Sequence, residues 1–270
     1  MRKELIAMNN QKSLRIMTYN VRFDVDSPPN SWEERKKLIV ELIQRESPDI
    51  IGTQECLYHQ VQDLITLMPE YDWVGLGREG GSNGEYAAIY FKKDRFNVLE
   101  YDHFWLSDTP NVIGSYTWGN DIPRMVSWAR FLDAKTGDQF YHLNTHFDHI
   151  SENARFKGSQ LIIERIASLD PVVPIILTGD FNTGVDTEPH QALLKKGNLI
   201  DAWDAADNTT NDHLGSFNGF KDPSGGKERI DWILFSGNIQ TASIKIVDDQ
   251  PNGLFPSDHF PVVAEMRIGK

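Results

Sequence analysis

The chain has 270 residues, of which 40% are hydrophobic and 24% are charged, and its formal net charge at pH 7 is -12. Such a chain is long enough to bury a sizeable core. Its acidic balance argues against a general binder of duplex DNA, which needs a basic surface. The single cysteine, Cys56, excludes an intrachain disulfide.

The sequence has no apolar run of membrane-spanning length and no apolar segment of the signal-peptide type near its first residues. We therefore expect a cytoplasmic protein without a transmembrane segment. Residues 1–13 are predicted to be a flexible lead-in, and residues 14–270 are predicted to form a single domain, because no repeat, linker or composition shift divides them.

Hydrophobic periodicity predicts strands that alternate with amphipathic helices. We predict helices at 31–45, 58–68, 151–169 and 188–196. We predict strands at 14–21, 49–55, 71–77, 85–91, 96–106, 125–133, 139–147, 175–177, 230–235, 244–247 and 261–268. Ser31 and Glu34 have the spacing of a capping box. The polar segment 204–228 is predicted to be a functional or mobile loop.

A glycine pattern of the type G-x-G-x-x-G occurs at Gly75, Gly77 and Gly80. This pattern indicates dinucleotide binding only where a helix follows it. Here EYAAIYF follows, which is typical of a strand. We interpret the glycine-rich segment as a hairpin connection.

Polar side chains follow several of the predicted strands. Asp180 and Asn182 come directly after the apolar run at 175–177 and could face one cavity, because residues two apart share a face. The alternative for this pair is a turn rich in Asx residues. The other polar residues at strand ends or adjoining loops are Asn20, Glu55, His146, Asp258 and His259.

Asp231 lies among apolar neighbours in the predicted strand IDWIL. A buried carboxylate is costly unless it is paired, and His259 is the candidate partner. Simpler interpretations exist for each of these residues taken singly. Asn20 and Glu55 could cap strand ends, residues 257–259 could form a simple turn, and Asp231 could be a satisfied polar group of the core.

Three histidines, His142, His146 and His149, have offsets of four and three that would suit a zinc site on one helix face. The segment QFYHLNTHF is predicted to be a strand instead. On a strand, His142 and His146 are too far apart for one ion unless the chain bends. A zinc hydrolase remains an alternative at this point.

Taken together, six motifs in this order resemble the endonuclease/exonuclease/phosphatase superfamily, which includes deoxyribonuclease I, exonuclease III, neutral sphingomyelinases and catabolite-repressor-type deadenylases. The motifs are TYN at 18–20, QE at 54–55, TH at 145–146, GDFN at 179–182, RID at 229–231 and SDH at 257–259. The segments GEYAAIYF, FWLSDTP and PRMVSWARF resemble a bacterial branch near the deadenylase-like and sphingomyelinase-like members. Arg22 departs from the abasic-site endonucleases, which often have an acidic or small residue there.

The resemblance implies an α/β fold, a four-layer α/β/β/α sandwich of two mixed β-sheets of the deoxyribonuclease I type. It implies a catalytic domain that hydrolyses phosphodiester or phosphomonoester bonds, as a nuclease or phosphatase, by in-line attack of water. It also implies Mg²⁺ as the cofactor, with Mn²⁺ as a substitute, and Glu55 as its principal ligand. Asn20 and Asp258 would support the ion directly or through water.

The resemblance also implies roles for the remaining residues. Asp180 would be the general base, and Asn182 would orient the water or a phosphoryl oxygen. His259, held by Asp231, would donate to a phosphoryl oxygen, and His146 would be a second donor. Two arginines are candidates for phosphate contact, namely Arg124 and Arg130, although Arg130 is more simply a solvated strand charge.

The substrate class stays open at this stage. We expect a phosphate ester: a single-stranded nucleic acid, a small phosphoester or a lipid head group, with no strong affinity for duplex DNA and with the protein acting as a monomer. Five aromatic residues could stack on bases or anchor the core, namely Trp32, Trp105, Trp118, Phe217 and Phe220. A catalytically silent binding module on the same fold is the alternative function.

Overall fold

The computed structural model describes residues 13–269, so most of the predicted lead-in lies outside the described residues. The helices are α1 (Trp32–Glu46), α2 (Tyr58–Leu67), α3 (Glu152–Ala167) and α4 (Glu188–Lys195). The strands are β1 (Ser13–Asn20), β2 (Ile50–Gln54), β3 (Tyr71–Val74), β4 (Ile89–Lys92), β5 (Phe96–Trp105), β6 (Met125–Asp133), β7 (Gln139–His146), β8 (Ile175–Asp180), β9 (Ile200–Asp201), β10 (Ala206–Thr210), β11 (Asp231–Ser236), β12 (Ile239–Ile246) and β13 (Val262–Ile268).

The strands form two mixed sheets. The first has the order β10-β12-β13-β1-β2-β4-β3, and the second has the order β5-β6-β7-β8-β11-β9. One parallel pair lies near the middle of each sheet: β1 with β2, and β7 with β8. The neighbouring strands β13 and β11 run antiparallel to these pairs. Parallel neighbours bring their carboxyl ends to one edge of a sheet.

Three apolar clusters define the layers. The central cluster lies between the sheets and contains Ile16, Ile50, Phe131 and Ile233. A second cluster joins the outer face of the first sheet to α1 and α2, and a third joins the outer face of the second sheet to α3 and α4. The predicted α/β/β/α sandwich of two mixed sheets is confirmed.

The sheets approach each other closely beside the carboxyl end of β2. A Cβ atom on Gly52 would lie 2.2 Å from Thr178 Oγ1 and 2.5 Å from Asn144 Oδ1. Asn144 Nδ2 donates to Thr53 O at 2.7 Å, and Gln54 Nε2 donates to Asn144 Oδ1 at 2.8 Å. These buried hydrogen bonds fix β2 against β7, just before the residues that follow both strands.

Some local predictions were wrong. Ser31 precedes α1, but its side chain makes no capping hydrogen bond. The segment 204–228 is not all loop, because β10 pairs with β12 at the sheet edge, and β12 begins five residues earlier than predicted. Hydrophobic periodicity did not predict β10, because its sequence, ADNTT, is polar and an exposed edge strand needs no apolar face.

Other expectations agree with the structure. A strand follows the glycine-rich segment, as the hairpin interpretation requires, although β4 begins only at Ile89. Among the helices of residues 13–269, none has both the length and the apolar character needed to cross a bilayer.

Candidate active site

Strand ends from both sheets meet at one edge of the sandwich. Asn20 ends β1 and Glu55 follows β2, while His146 and Asp180 end the parallel strands β7 and β8, where they lie in register. Asp231 begins the antiparallel strand β11 opposite Asp180. The topology therefore brings together side chains from both sheets.

A cavity of about 730 Å³ opens at this edge. The predicted site residues that line it are Glu55, Arg124, His146, Asp180, Asn182, Asp258 and His259. Asn20 and Asp231 lie behind its wall, and both are fully buried. Each predicted catalytic or metal-binding residue thus lies in or directly behind the cavity.

Asp180 occupies the centre of the hydrogen-bond network. Its Oδ2 accepts from Asn20 Nδ2 at 2.9 Å, and its Oδ1 accepts from the backbone N–H of Asn182 at 2.9 Å. The side chain is 1% exposed. Burial raises the pKa of Asp180 to about 6, although the charge of His259 acts in the opposite direction. A carboxylate with this pKa can take up a proton near neutral pH.

The predicted pairing of Asp231 with His259 is confirmed, because His259 Nδ1 lies 2.9 Å from Asp231 Oδ2. Burial alone would lower the pKa of His259, but the charges of Asp231 and Asp180 outweigh it and hold that pKa well above its ordinary value. The Oγ of Ser216 accepts from the backbone N–H of Asp231 at 3.1 Å and thereby fixes the start of β11. The ring of His259 is therefore charged and oriented.

Asn182 orients the second histidine. Its Nδ2 donates to Phe147 O at 3.0 Å and lies 2.9 Å from His146 Nε2. This pattern assigns Nε2 as an acceptor and places the ring proton on Nδ1. Burial, followed by the charge of Arg124, lowers the pKa of His146 well below its ordinary value. His146 is therefore neutral and can donate only through Nδ1.

The carboxylate of Glu55 is fixed by hydrogen bonds from residues at and after the end of β1. Its Oε1 accepts from Asn20 Nδ2 at 3.0 Å, and its Oε2 accepts from the backbone N–H of Phe23 at 3.2 Å. The backbone of Glu55 is left-handed, with φ of 66°, a conformation that non-glycine residues rarely adopt outside constrained sites. The local fold therefore determines the direction of this carboxylate.

Comparison with known proteins identifies this arrangement. A family model described as the Endonuclease/Exonuclease/phosphatase family matches residues 17–259. The chain belongs to the endonuclease/exonuclease/phosphatase family. It is therefore a member of a family of enzymes that hydrolyse phosphoester bonds, in nucleic acids or in phosphorylated small molecules.

Two solved structures from Bacteroides thetaiotaomicron are each 34% identical to the chain. One is a protein of the same family, with a TM-score of 0.90 over 95% of this chain and 98% of that chain. The other is a mannosyl-6-phosphatase, with a TM-score of 0.89 over 94% of this chain and 99% of that chain. An uncharacterised protein of Acanthamoeba polyphaga mimivirus is 34% identical over 162 residues, 56% of this chain and 59% of that protein.

The site of this family member fits a divalent cation. His146 Nε2 and Asp180 Oδ2, two atoms that can each ligate a metal ion, lie 3.4 Å apart. Glu55 completes this group, with ligand atoms within 4.8 Å of one another. The family generally uses a divalent metal, and carboxylate oxygens suit Mg²⁺.

The position of Asn20 limits its predicted role as a ligand. Its Oδ1 accepts from the backbone N–H of Arg22 at 3.0 Å, so its amide nitrogen, a donor, faces Glu55 and Asp180. Asn20 therefore orients the two carboxylates, and its own amide oxygen is not directed at a cation held by them. Asp258 belongs to neither of the compact acidic groups found in the described residues, which favours its predicted contribution through water.

The alternative of a zinc site formed by His142, His146 and His149 is wrong. His142 lies between the sheets, fully buried, with Nε2 3.0 Å from Thr178 Oγ1. Within residues 13–269, neither candidate metal group contains His142 or His149. His149 lines the cavity, but its Nδ1 contacts Arg124 Nη2 at 3.2 Å.

The structure also distinguishes the predicted phosphate and base contacts. Arg124 lines the cavity, whereas Arg130 bonds to Gln139 and Glu100 away from it. The three predicted tryptophans are buried, and each bonds through its indole N–H, which makes them core anchors. Phe217, which is 46% exposed, and Phe220 line the cavity.

Among the residues that sequence reasoning missed are Glu85 and Arg78, which line the cavity, and Ser216, which supports Asp231. Glu85 bonds to Arg78 at 2.7 Å, and its Oε2 lies 3.9 Å from His146 Nδ1. Burial raises the pKa of Glu85 despite the charge of Arg78. Glu85 lies in the segment GEYAAIYF, which was the available signal. Ser216 lies in the polar segment 204–228 and carried no such signal.

Proposed function

We propose that this chain is a Mg²⁺-dependent hydrolase of phosphate esters, with Mn²⁺ as a substitute, which acts by in-line attack of water. The observation that supports it most is the environment of Asp180. Its pKa of about 6 suits a general base, and its Oδ2 lies 3.4 Å from His146 Nε2 and 3.7 Å from His259 Nε2. Through Asn20 it is connected to Glu55.

In this proposal the protein positions the water and stabilises the charge of the reacting phosphate. Asp180 accepts the proton of the water, and Asn182 orients the water or a phosphoryl oxygen. His259, kept charged by Asp231, donates to a phosphoryl oxygen through Nε2. His146 adds a second donor through Nδ1. A fixed imidazolium is suited to the anionic transition state, because its orientation needs no rearrangement during the reaction.

In this proposal the cation binds carboxylates that flank strands of the first sheet. Glu55 would hold it as the principal ligand, with Asp258 contributing through water and Asn20 orienting Glu55. One or two carboxylates are enough for Mg²⁺, because the ion keeps several of its waters. When bound, it supplies positive charge that neutralises the phosphate.

We propose a small phosphomonoester as the substrate. A cavity of about 730 Å³ is of the size that takes a small ligand, and the net charge of -12 disfavours long nucleic acids. The relative named mannosyl-6-phosphatase, 34% identical over nearly the whole chain, supports the same class. A single-stranded oligonucleotide is the second candidate, because the exposed ring of Phe217 could stack on a base.

A hydrolysis panel with Mg²⁺ tests these proposals. It should include mannose 6-phosphate, bis-p-nitrophenyl phosphate, oligo(A), sphingomyelin, inositol phosphates and duplex abasic DNA. We expect the highest kcat/KM on the sugar phosphate. Higher kcat/KM on oligo(A) would replace the phosphomonoester with the second candidate. No turnover of any substrate would favour the silent binding module.

A further inference from the structure

The guanidinium of Arg22 lies in the cavity among three carboxylates. Its Nε is 3.1 Å from Asp26 Oδ2 and 3.7 Å from Asp258 Oδ2, and its Nη1 is 3.8 Å from Glu55 Oε2. Only the contact with Asp26 has hydrogen-bond length. Arg22 is therefore held near Glu55 and Asp258 mainly by charge.

Most hydrogen-bonding capacity of this side chain is unused. A guanidinium has five N–H donors in a planar fork. Among residues 13–269, the side chain of Arg22 donates a hydrogen bond only through Nε, so Nη1 and Nη2 have no acceptor at hydrogen-bond distance. The side chain is 28% exposed and lines the cavity. These donors are available to a ligand in the cavity.

The backbone of Arg22 is fixed, in contrast to its side chain. The residue is left-handed, with φ of 59°. Its N–H donates to Asn20 Oδ1, and its carbonyl accepts from Arg35 Nη2 and Gln60 Nε2, all three at 3.0 Å. A movement of the guanidinium therefore needs only side-chain rotations from a fixed Cα.

The side chains of the other two cavity arginines are more deeply buried. Arg124 is 5% exposed and contacts His149 at 3.2 Å, and Arg78 is 13% exposed and bonds to Glu85 at 2.7 Å. Of the three, Arg22 is the most exposed and lies nearest to the proposed ligands of the cation. It is the arginine with both the freedom and the position to respond to a bound cation.

We propose that Arg22 exchanges partners during the catalytic cycle: its guanidinium leaves Glu55 and Asp258 when a divalent cation binds them, and it then binds the phosphate of the substrate. This inference rests on the proposed function. The cation repels the guanidinium, and the phosphate offers acceptors that match its planar fork. Arg22 is thus a competitor of the metal and a binding residue for the phosphate.

The test is calorimetric and needs no turnover. Binding of Mn²⁺ alone, and of inorganic phosphate at saturating Mn²⁺, is measured for the wild type and for Arg22→Met and Arg22→Lys. Arg130→Met is the matched control, since it removes the same charge from a side chain that is 25% exposed and lies outside the cavity. Circular dichroism spectra and melting temperatures confirm that each variant is folded.

We expect Arg22→Met to bind Mn²⁺ about threefold to tenfold more tightly than the wild type, because a like charge has been removed beside the ligands. We expect the same variant to bind phosphate about tenfold to a hundredfold more weakly, through loss of charge-assisted hydrogen bonds. The affinities of Arg22→Lys for Mn²⁺ and for phosphate should lie between those of the wild type and those of Arg22→Met. The affinities of Arg130→Met should match those of the wild type.

Two outcomes would overturn the inference: unchanged or weaker Mn²⁺ binding by Arg22→Met, or phosphate binding within twofold of the wild type. If either occurs while Glu55→Gln still binds Mn²⁺ far more weakly than the wild type, the partner exchange fails and the metal-dependent function stands. If the wild type itself binds no Mn²⁺, both the partner exchange and the proposed metal-dependent function fail.

Discussion

At the scale of single residues, Asp180 combines two properties that a base for water needs. It is buried, which raises its pKa to about 6, and it is fixed by Asn20 on one oxygen and by the backbone N–H of Asn182 on the other. The raised pKa makes it a better proton acceptor, and the fixed geometry reduces the entropy lost when water is positioned.

Asp180→Asn should lower kcat about a hundredfold to ten-thousandfold, as is typical for loss of a general base. Either orientation of the new amide places its NH₂ against an N–H donor, so we also expect a loss of about 1 kcal/mol of stability. The measurements are kcat, substrate affinity and melting temperature. If Asp180 is only a turn carboxylate, the melting temperature will fall while kcat stays within a few-fold of the wild type.

The pair formed by Asp231 and His259 gives a second prediction at this scale. Because the charge of Asp231 raises the pKa of His259, Asp231→Asn should lower that pKa, so the imidazolium should be lost at lower pH. An NMR titration of His259 measures this directly. Asp24→Asn, which breaks the exposed pair with His59 at 3.0 Å, is the control. An unchanged titration of His259 in Asp231→Asn would refute its electrostatic role.

At the scale of the elements, the close approach of the two sheets at Gly52 positions the site. β2 contacts β7 and β8 there, and Glu55 follows three residues later. The polar residues at strand ends could be predicted from the sequence, because an apolar run followed by Asp180, or an apolar strand containing Asp231, is visible locally. The need for glycine at position 52 could not be predicted from the sequence. The residues that a Cβ atom there would meet, Thr178 and Asn144, are distant in sequence.

Gly52→Ala should destabilise the protein by about 1–3 kcal/mol, as overpacked cores generally do, and should lower kcat by displacing Glu55 from Asp180. Gly158→Ala is the control. Its new Cβ, within α3, would meet its nearest neighbour at 3.4 Å, an ordinary contact, so stability should rise by about 0.5–1 kcal/mol. Urea unfolding and kcat of both variants test this. A Gly52→Ala protein as stable and active as the wild type would contradict it.

At the scale of the whole molecule, the sandwich buries polar groups between its sheets as well as apolar ones. The layer order was predicted from the ordered motifs and their resemblance to a family, since helix and strand patterns alone do not determine how two sheets pack. His142 is one such buried group. Its Nδ1 has no hydrogen-bond partner among the described residues, and burial lowers its pKa to about 3.

This burial predicts a loss of stability in acid. An unfolded chain protonates His142 at its ordinary pKa of about 6.5, so between that pH and about 3 the unfolded state binds more protons, and the free energy of unfolding falls as pH falls. Above pH 6.5 the contribution is fully present. At pH 5 the loss from this residue is about 2 kcal/mol, at about 1.4 kcal/mol per pH unit.

His142→Gln should therefore lose about 2 kcal/mol less than the wild type between pH 7 and pH 5. Urea unfolding at the two pH values measures the difference. His213→Gln, at an exposed histidine, serves as the control. If His142→Gln loses as much stability as the wild type, the neutral state of His142 in the fold is refuted.

The decisive experiment is a titration of chelator-treated protein with Mg²⁺, with the initial rate of phosphate-ester hydrolysis measured for the wild type and Glu55→Gln. Glu100→Gln, which removes a carboxylate that pairs with Arg130 outside the cavity, is the control. We predict no rate without a divalent cation, saturable recovery with Mg²⁺ for the wild type and Glu100→Gln, and a far higher Mg²⁺ requirement with most activity lost for Glu55→Gln. Wild-type turnover by Glu55→Gln at low Mg²⁺, or turnover in chelator, would contradict a metal-dependent site built on Glu55.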